Sequence, residues 1–105
     1  MNEREARETV RAAGVKLVEE GLVAGTWGNV SQRLAGGFMA ITPSGFDYLA
    51  MKAEDIVIVN LATGEATGGK PSTEKKLHAD IYRTRPEANA VIHTQSTSAS
   101  TVAAA

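Results

Sequence analysis

The spacing of apolar residues changes after about the twentieth residue, and this change limits the folds that the chain can adopt. Before that point apolar side chains recur every three or four residues, at Ala6, Val10, Ala13 and Leu17. That is the period of one face of an α-helix. Beyond it, apolar residues form short runs or alternate with polar ones, as in β-strands. The two periods together predict a mixed α/β fold.

Local signals at both ends support the first helix. Asn2 can cap it, because Glu5 follows three residues later and completes a capping-box pattern. Gly21 comes directly after Glu20 and supplies the left-handed residue that commonly ends such a helix.

Four later segments are predicted as strands, at residues 29–34, 38–42, 56–59 and 90–94. In the first, Val30 and Leu34 share one face, while Asn29, Ser31 and Arg33 share the other. Gly36-Gly37 predicts a hairpin turn between the first two strands. The third is an unbroken apolar run, so we expect a buried strand, closed by a turn around Thr63-Gly64.

A second helix is predicted between the third and fourth strands. Ser72 or Thr73 can cap its start, it continues to about Arg83, and Pro86 lies just beyond its end. There is no internal repeat and no linker-like segment. We therefore expect a single mixed α/β domain over residues 1–105.

Composition excludes several classes of function. The formal net charge of -1 provides no basic surface for nucleic acid or for an anionic membrane. The absence of cysteine excludes disulfides and thiolate metal sites. The N-terminus lacks the apolar segment of a signal peptide, and no apolar run approaches the roughly 20 residues of a membrane-spanning helix. We expect a soluble cytoplasmic protein.

The last six residues, Ser-Thr-Val-Ala-Ala-Ala, resemble the beginning of a helix, with no glycine cap and no basic final turn. This pattern favours a sequence that is cut inside a domain. The alternative is a frayed alanine-rich tail.

Three polar clusters contain residues typical of anion sites. They are Gly25-Thr26-Trp27-Gly28-Asn29-Val30-Ser31, Thr42-Pro43-Ser44-Gly45 and Gly69-Lys70-Pro71-Ser72-Thr73-Glu74. Glycines let backbone N–H groups approach a phosphate, hydroxyl and amide groups add neutral donors, and a helix start favours an anion. Each cluster taken alone is more simply interpreted as an ordinary turn or helix cap.

Glu74 is predicted to share an inward helical face with Leu77, His78 and Ile81. A partly buried carboxylate needs a cation, a donor or a raised pKa, although a first-turn Glu also simply favours the helix dipole. His78 is interpreted as a core histidine paired with Glu74. His93 and Gln95 share one strand face and can converge on one ion, but a histidine at a strand end is often only a core residue.

Taken together, the segments GTWGNVSQR, ITPSGFDY and KPSTEKKLHADIYRTRPEANAVIHT resemble the class II aldolase and adducin N-terminal family. The resemblance extends from the first helix to about Ser96. It implies a class II aldolase fold, incomplete at the C-terminus, and a zinc-dependent enzyme that acts on a phosphorylated sugar or sugar acid. The implied reaction is retro-aldol cleavage through a metal-stabilised enediolate. Homo-oligomers are also implied.

The resemblance also implies roles for individual residues. Glu74 corresponds to the catalytic acid or base, which can also approach the zinc, and His93 to the first histidine of a paired metal motif. The substrate-phosphate site corresponds to three pairs of residues, Gly28 with Asn29, Ser44 with Gly45, and Ser72 with Thr73.

Gln95 stands where the resemblance implies a second metal histidine, and the third would come from a later segment that this sequence does not contain. A neutral amide is a poorer zinc ligand than imidazole. We therefore expect no stoichiometric zinc in this chain. Three alternatives to an active aldolase stay open: a noncatalytic adducin-like binding or assembly domain, a related epimerase or dehydratase, and a small independent binding module.

Overall fold

The computed structural model describes residues 2–21, 28–45 and 47–93. This part of the chain forms a mixed α/β fold, as predicted. In chain order its elements are α1 (Glu3–Glu19), β1 (Asn29–Leu34), β2 (Phe38–Ile41), a 3-10 turn (Ala53–Asp55), β3 (Val57–Asn60), β4 (Ala66–Thr67), α2 (Lys75–Thr84) and β5 (Ala90–His93). The predictions for residues 25–27, Thr94, Gln95 and the C-terminal segment lie outside the described residues.

Helix α1 begins and ends where its local signals predict. The Asn2 side chain accepts a hydrogen bond of 2.8 Å from the Glu5 N–H, and Glu5 completes the capping box. Gly21 follows the helix with a φ of 72°. The buried stripe includes Gly14, whereas Ala13 is only half-buried. Neither helix in the described part of the chain is long and apolar enough to cross a membrane.

The five strands pair in the order β4-β3-β2-β1-β5, and every pair is antiparallel. The predicted turn at Gly36-Gly37 joins β1 to β2, with φ values of 84° and 85° that glycine adopts without strain. Strand β1 therefore lies inside the sheet, between β2 and β5. The sequence patterns predicted neither this order nor the short strand β4.

The sheet is covered on both faces. Val30, Leu34 and Ile58 pack with α1 in one apolar cluster, while Met39, Val59 and Val91 pack with α2 in a second cluster. Successive residues of a strand point to opposite faces. The run from Ile56 to Val59 is thus continuously apolar because its side chains enter both clusters alternately.

For α2 the predicted cap was wrong, and the predicted inward face was right for His78 and Ile81 but not for Leu77. Its N-cap is Glu74, which makes no side-chain cap hydrogen bond, so neither Ser72 nor Thr73 caps the helix. The inward face comprises His78, Ala79 and Tyr82, and Leu77 is 39% exposed. The helix begins one to two residues later than predicted. Its buried stripe follows His78 and Tyr82, because both are hydrogen-bonded to side chains of β1, and Leu77 lies outside that stripe.

Candidate functional site

The antiparallel register brings the separate polar clusters to one end of the sheet. Strand β1 begins at the end where β2 and β5 finish, so Asn29 is paired with His93, and the Thr42 N–H donates to the Val30 carbonyl at 3.0 Å. The segment before α2 reaches the same end, because the Ser72 N–H donates to the Thr42 carbonyl at 3.0 Å. The described parts of the three polar clusters and His93 therefore lie towards the same end of the sheet.

The second and third clusters are linked directly through their backbones. Pro43 and Pro71 form an isolated antiparallel bridge, and the Ser44 N–H donates to the Lys70 carbonyl at 3.0 Å. Ser72 is buried, and its Oγ accepts a hydrogen bond of 3.1 Å from the Glu74 N–H. Ser44 and Glu74 are half-buried, whereas Gly45 and Thr73 are exposed.

Tyr48 connects the first cluster to the second, a role that the sequence analysis missed. Its hydroxyl donates to the Gly28 carbonyl at 2.5 Å and lies 3.1 Å from Thr42 Oγ1, which in turn accepts from the Val30 N–H at 3.3 Å. Burial raises the pKa of Tyr48, so its phenol stays protonated. The only signal in the sequence was a phenol shortly after the polar Thr42–Gly45 turn.

A buried polar network extends from the site along the face of β1 that contacts α2. Ser31 Oγ lies 2.5 Å from His78 Nδ1 and 2.7 Å from the Tyr82 hydroxyl, while His78 Nε2 is hydrogen-bonded to Asn29 Oδ1. His78 is a core histidine, as interpreted, but its side chain pairs with Asn29 and Ser31 and not with Glu74. Burial, with a smaller contribution from His93, lowers the pKa of His78 to about 4.

Arg33 joins this network at the other end of α2. Its guanidinium donates to the carbonyls of Tyr82 and Ala88, both at 2.8 Å, and lies 4.8 Å from the centroid of the Tyr82 ring. Burial raises the pKa of Tyr82 to about 12. A cation at the C-terminal end of a helix is favoured by the helix dipole. Arg33 therefore fixes α2 against β1.

Among the described residues, His93 is the proposed metal ligand that has a nitrogen without a hydrogen-bond partner. The ring is half-buried, and its Nδ1 is a buried polar atom without a hydrogen bond among the described residues. An unpaired buried nitrogen is costly unless something binds it, so His93 fits a metal ligand. Within the described ranges, no group of three histidine or acidic side chains converges on one point.

Comparisons with known proteins identify relatives of this chain. The family described as Class II Aldolase and Adducin N-terminal domain matches residues 8–105. The 5-deoxy-D-ribulose 1-phosphate aldolase of Bacillus thuringiensis is 45% identical over 100 residues, which are 92% of this chain and 46% of that protein. The methylthioribulose-1-phosphate dehydratase of Alcanivorax borkumensis is 40% identical over 93 residues, which are 89% of this chain and 44% of that protein.

A solved structure of L-fuculose 1-phosphate aldolase superposes with a TM-score of 0.81 at 38% identity, over 89% of this chain and 45% of that chain. The chain thus spans less than half the length of each of these three relatives. Both the sequence match and the superposition extend across most of the described residues. The chain therefore belongs to the class II aldolase and adducin N-terminal domain family.

Proposed function

We propose that this chain is the N-terminal part of a class II aldolase that cleaves a phosphorylated sugar or sugar acid by a retro-aldol reaction. In this proposal the chain supplies the substrate-phosphate site, the proton-transfer residue Glu74 and one metal ligand, His93. Assembly into homo-oligomers belongs to the same proposal. The observation that supports it best is the convergence of the three polar clusters with the unpaired nitrogen of His93 at one end of the sheet.

The phosphate part of the proposal rests on neutral donors around Asn29, Ser44 and Ser72. Gly45, with a φ of 68°, keeps the backbone of the second cluster free of a side chain. Helix α2 begins at Lys75, three residues after Ser72, so the positive end of its dipole favours an anion there. Hydrogen bonds between the clusters hold these donors in place before a ligand binds, which lowers the entropic cost of binding.

The chemical part rests on Glu74 and His93. A zinc ion, when bound, would supply a Lewis acid for a carbonyl oxygen; His93 would hold it, and Glu74 is the second candidate ligand. The phosphate site holds one end of the substrate, so the reacting carbons are fixed relative to Glu74. Glu74 then carries a proton as general acid or base. Its position at the start of α2 keeps the carboxylate half-buried at the same end of the sheet.

Gln95 gives a direct test of the metal part. The purified protein is expected to hold no stoichiometric zinc, and Gln95→His is expected to raise zinc occupancy by at least about tenfold, because imidazole is the better ligand. His93→Ala in the Gln95→His background should remove that gain. Metal analysis after gel filtration measures all three proteins. One tightly bound zinc per chain in the unmodified protein would show that Gln95 does not weaken the site.

Activity is tested with L-fuculose 1-phosphate and 5-deoxy-D-ribulose 1-phosphate, the sugar phosphates named in the aldolase relatives. In full-length Gln95→His protein we expect carbon–carbon cleavage, with a triose phosphate and an aldehyde as products. Glu74→Gln keeps the shape of Glu74 without the carboxylate and should abolish cleavage while binding persists. If Gln95→His restores zinc but no cleavage of either sugar phosphate, the aldolase proposal fails.

A noncatalytic binding domain is the second candidate, and the amide at Gln95 is the observation that favours it. Such a domain would bind the sugar phosphate but would not cleave it, even as Gln95→His. A dehydratase, as in the Alcanivorax borkumensis relative, would release water and leave the carbon chain intact. Mass spectrometry of the products separates the three outcomes.

A further inference from the structure

We propose that His78 is a positioning residue that holds the Asn29 side chain in one orientation, with its NH₂ group directed at the substrate phosphate. The inference rests on the proposed function, because it assigns Asn29 to the phosphate site. It assigns a positioning role to His78, which lies on the buried face of α2. Neither the sequence nor the family comparison gave His78 that role. The juxtaposition that supports it is the hydrogen bond between His78 Nε2 and Asn29 Oδ1.

The direction of each hydrogen bond follows from the atoms involved. An amide oxygen only accepts, so His78 Nε2 carries the proton and donates to Asn29 Oδ1. In the neutral ring Nδ1 then accepts, and the Ser31 hydroxyl donates to it across 2.5 Å. The Tyr82 hydroxyl donates in turn to Ser31 Oγ at 2.7 Å. Tyr82, Ser31, His78 and Asn29 thus form a chain in which every donor points towards Asn29.

Within the described residues, this series of hydrogen bonds leaves the NH₂ group of Asn29 without a partner. Its oxygen is occupied by His78, and among the described residues no hydrogen bond uses its Nδ2. The NH₂ group carries two donors, which match the acceptor oxygens of a phosphate. Were the amide rotated by half a turn, its oxygen would face the phosphate and repel it. The bond from His78 therefore decides whether Asn29 attracts or repels the ligand.

Burial restricts the Asn29 side-chain amide to this one orientation. His78 and Ser31 are 0% exposed and Asn29 is 3% exposed, so water has little access to replace a missing partner. A buried polar group without a partner costs free energy, so the network has one favoured arrangement. A positively charged His78 would also donate from Nε2, so the inference does not depend on the charge of the ring.

Two substitutions of His78 separate positioning from general packing. In His78→Gln the terminal amide reaches the place of Nε2 and can still donate to Asn29 Oδ1. In His78→Asn the shorter amide reaches only the place of Nδ1, and the bond to Asn29 is lost. In His78→Asn the Asn29 amide is no longer held with its NH₂ group towards the phosphate. We therefore expect inorganic phosphate to bind this variant about tenfold to a hundredfold more weakly than wild type, the usual effect of losing a hydrogen bond to a charged group. The phosphate affinity of His78→Gln should be within about threefold of wild type, since this variant keeps the hydrogen bond to Asn29 Oδ1.

Phosphate affinity is measured by isothermal titration calorimetry, and urea denaturation shows that both variants are folded. Equal phosphate affinity in wild type and His78→Asn would overturn the inference while leaving the proposed function intact. If wild type itself binds no phosphate and no sugar phosphate, the proposed function fails, and this inference fails with it.

Nitrogen NMR of the wild-type protein provides a second test that needs no variant. Long-range correlations from the ring protons of His78 show which nitrogen carries the proton. We expect a protonated Nε2, together with shifts of the Asn29 side-chain NH₂ signals when inorganic phosphate is added. A ring protonated only at Nδ1 would mean that Asn29 is turned the other way, and would overturn the inference even if both variants failed to fold.

Discussion

At the scale of single residues, His78 couples the stability of the fold to the geometry of the site. The ring lies between β1 and α2 and is 0% exposed, and both its nitrogens are hydrogen-bonded to β1 side chains. A charged imidazolium in this place would lose its hydration, which is why burial lowers its pKa to about 4. The fold therefore requires the neutral ring.

This requirement predicts a loss of stability in mild acid. The pKa of His78 is about 4 in the fold, against an ordinary value of 6.5, so the unfolded chain binds the proton more readily between those values. The stability associated with the neutral His78 ring is fully present above about pH 6.5. It is lost as the pH falls through about 4, and the total loss is about 3 kcal/mol. Urea denaturation at intervals between about pH 7 and pH 4 measures it. His78→Gln should have a flatter profile; identical profiles would show that His78 does not cause the loss.

A second residue-scale prediction concerns Ser31. Ser31→Ala leaves His78 Nδ1 without its donor and the Tyr82 hydroxyl without its acceptor, whereas Tyr82→Phe leaves the bond between Ser31 and His78 intact. We expect Ser31→Ala to lower the free energy of unfolding by about 2 to 3 kcal/mol, and Tyr82→Phe by about 1 kcal/mol. Chemical denaturation of both variants measures the difference. The reverse order would contradict the direction of donation assigned to the network.

At the scale of elements, Gly14 sets how closely α1 approaches the turn that contains Tyr48. A Cβ at Gly14 would lie 3.2 Å from Tyr48 Cδ2 and 3.1 Å from Met51 Cε. The Met51 methyl group can move, but the Tyr48 ring is held by the hydrogen bonds of its hydroxyl to Gly28 and Thr42. The packing of the helix is thus connected to the first and second polar clusters.

Gly14→Ala is therefore expected to destabilise the protein, although alanine usually stabilises a helix by about 1 kcal/mol relative to glycine. Overpacking against the held ring should outweigh that gain and leave the variant about 1 kcal/mol less stable. Ala12→Gly, at an exposed position of the same helix, measures the intrinsic propensity alone. A Gly14→Ala protein that is more stable than wild type would show that Tyr48 moves freely.

These elements also show what could be predicted from the sequence. The capping box of Asn2 and the run at 56–59 are local signals, and the structure confirms both. The inward face of α2 could be predicted only in part: His78 was expected there, but Tyr82 was not, because a tyrosine hydroxyl becomes a core group only through its partner Ser31 on β1. Tyr48 was missed for the same reason, since its partners Gly28 and Thr42 lie far from it in the sequence or in another turn. The functional roles of Glu74, Ser44 and the other site residues stay predictions.

At the scale of the whole molecule, one sheet separates two apolar clusters. Val10 belongs to the cluster under α1 and Val59 to the cluster under α2, and both are essentially buried. Side chains on opposite faces of a strand share few neighbours. The two halves of the core should therefore respond independently to truncation.

We predict that Val10→Ala and Val59→Ala each cost about 2 kcal/mol of stability. In the double variant the two losses should add to within about 0.5 kcal/mol, as for sites that share no partners. Equilibrium denaturation of the two single variants and the double variant tests this. A coupling energy well above that value would mean that the sheet transmits packing changes from one face to the other.

The pairing of Asn29 with His93 has a consequence for the order of folding. Strand β1 is joined to β2, and β3 to β4, by a short turn, so these two hairpins can form early, whereas β5 must close a long loop to reach β1. During synthesis on a ribosome, β1 cannot pair with β5 until most of the described chain has emerged. Asn29 and His93 meet only at that late step, so a ligand that needs both residues recognises only chains that have finished assembling the sheet.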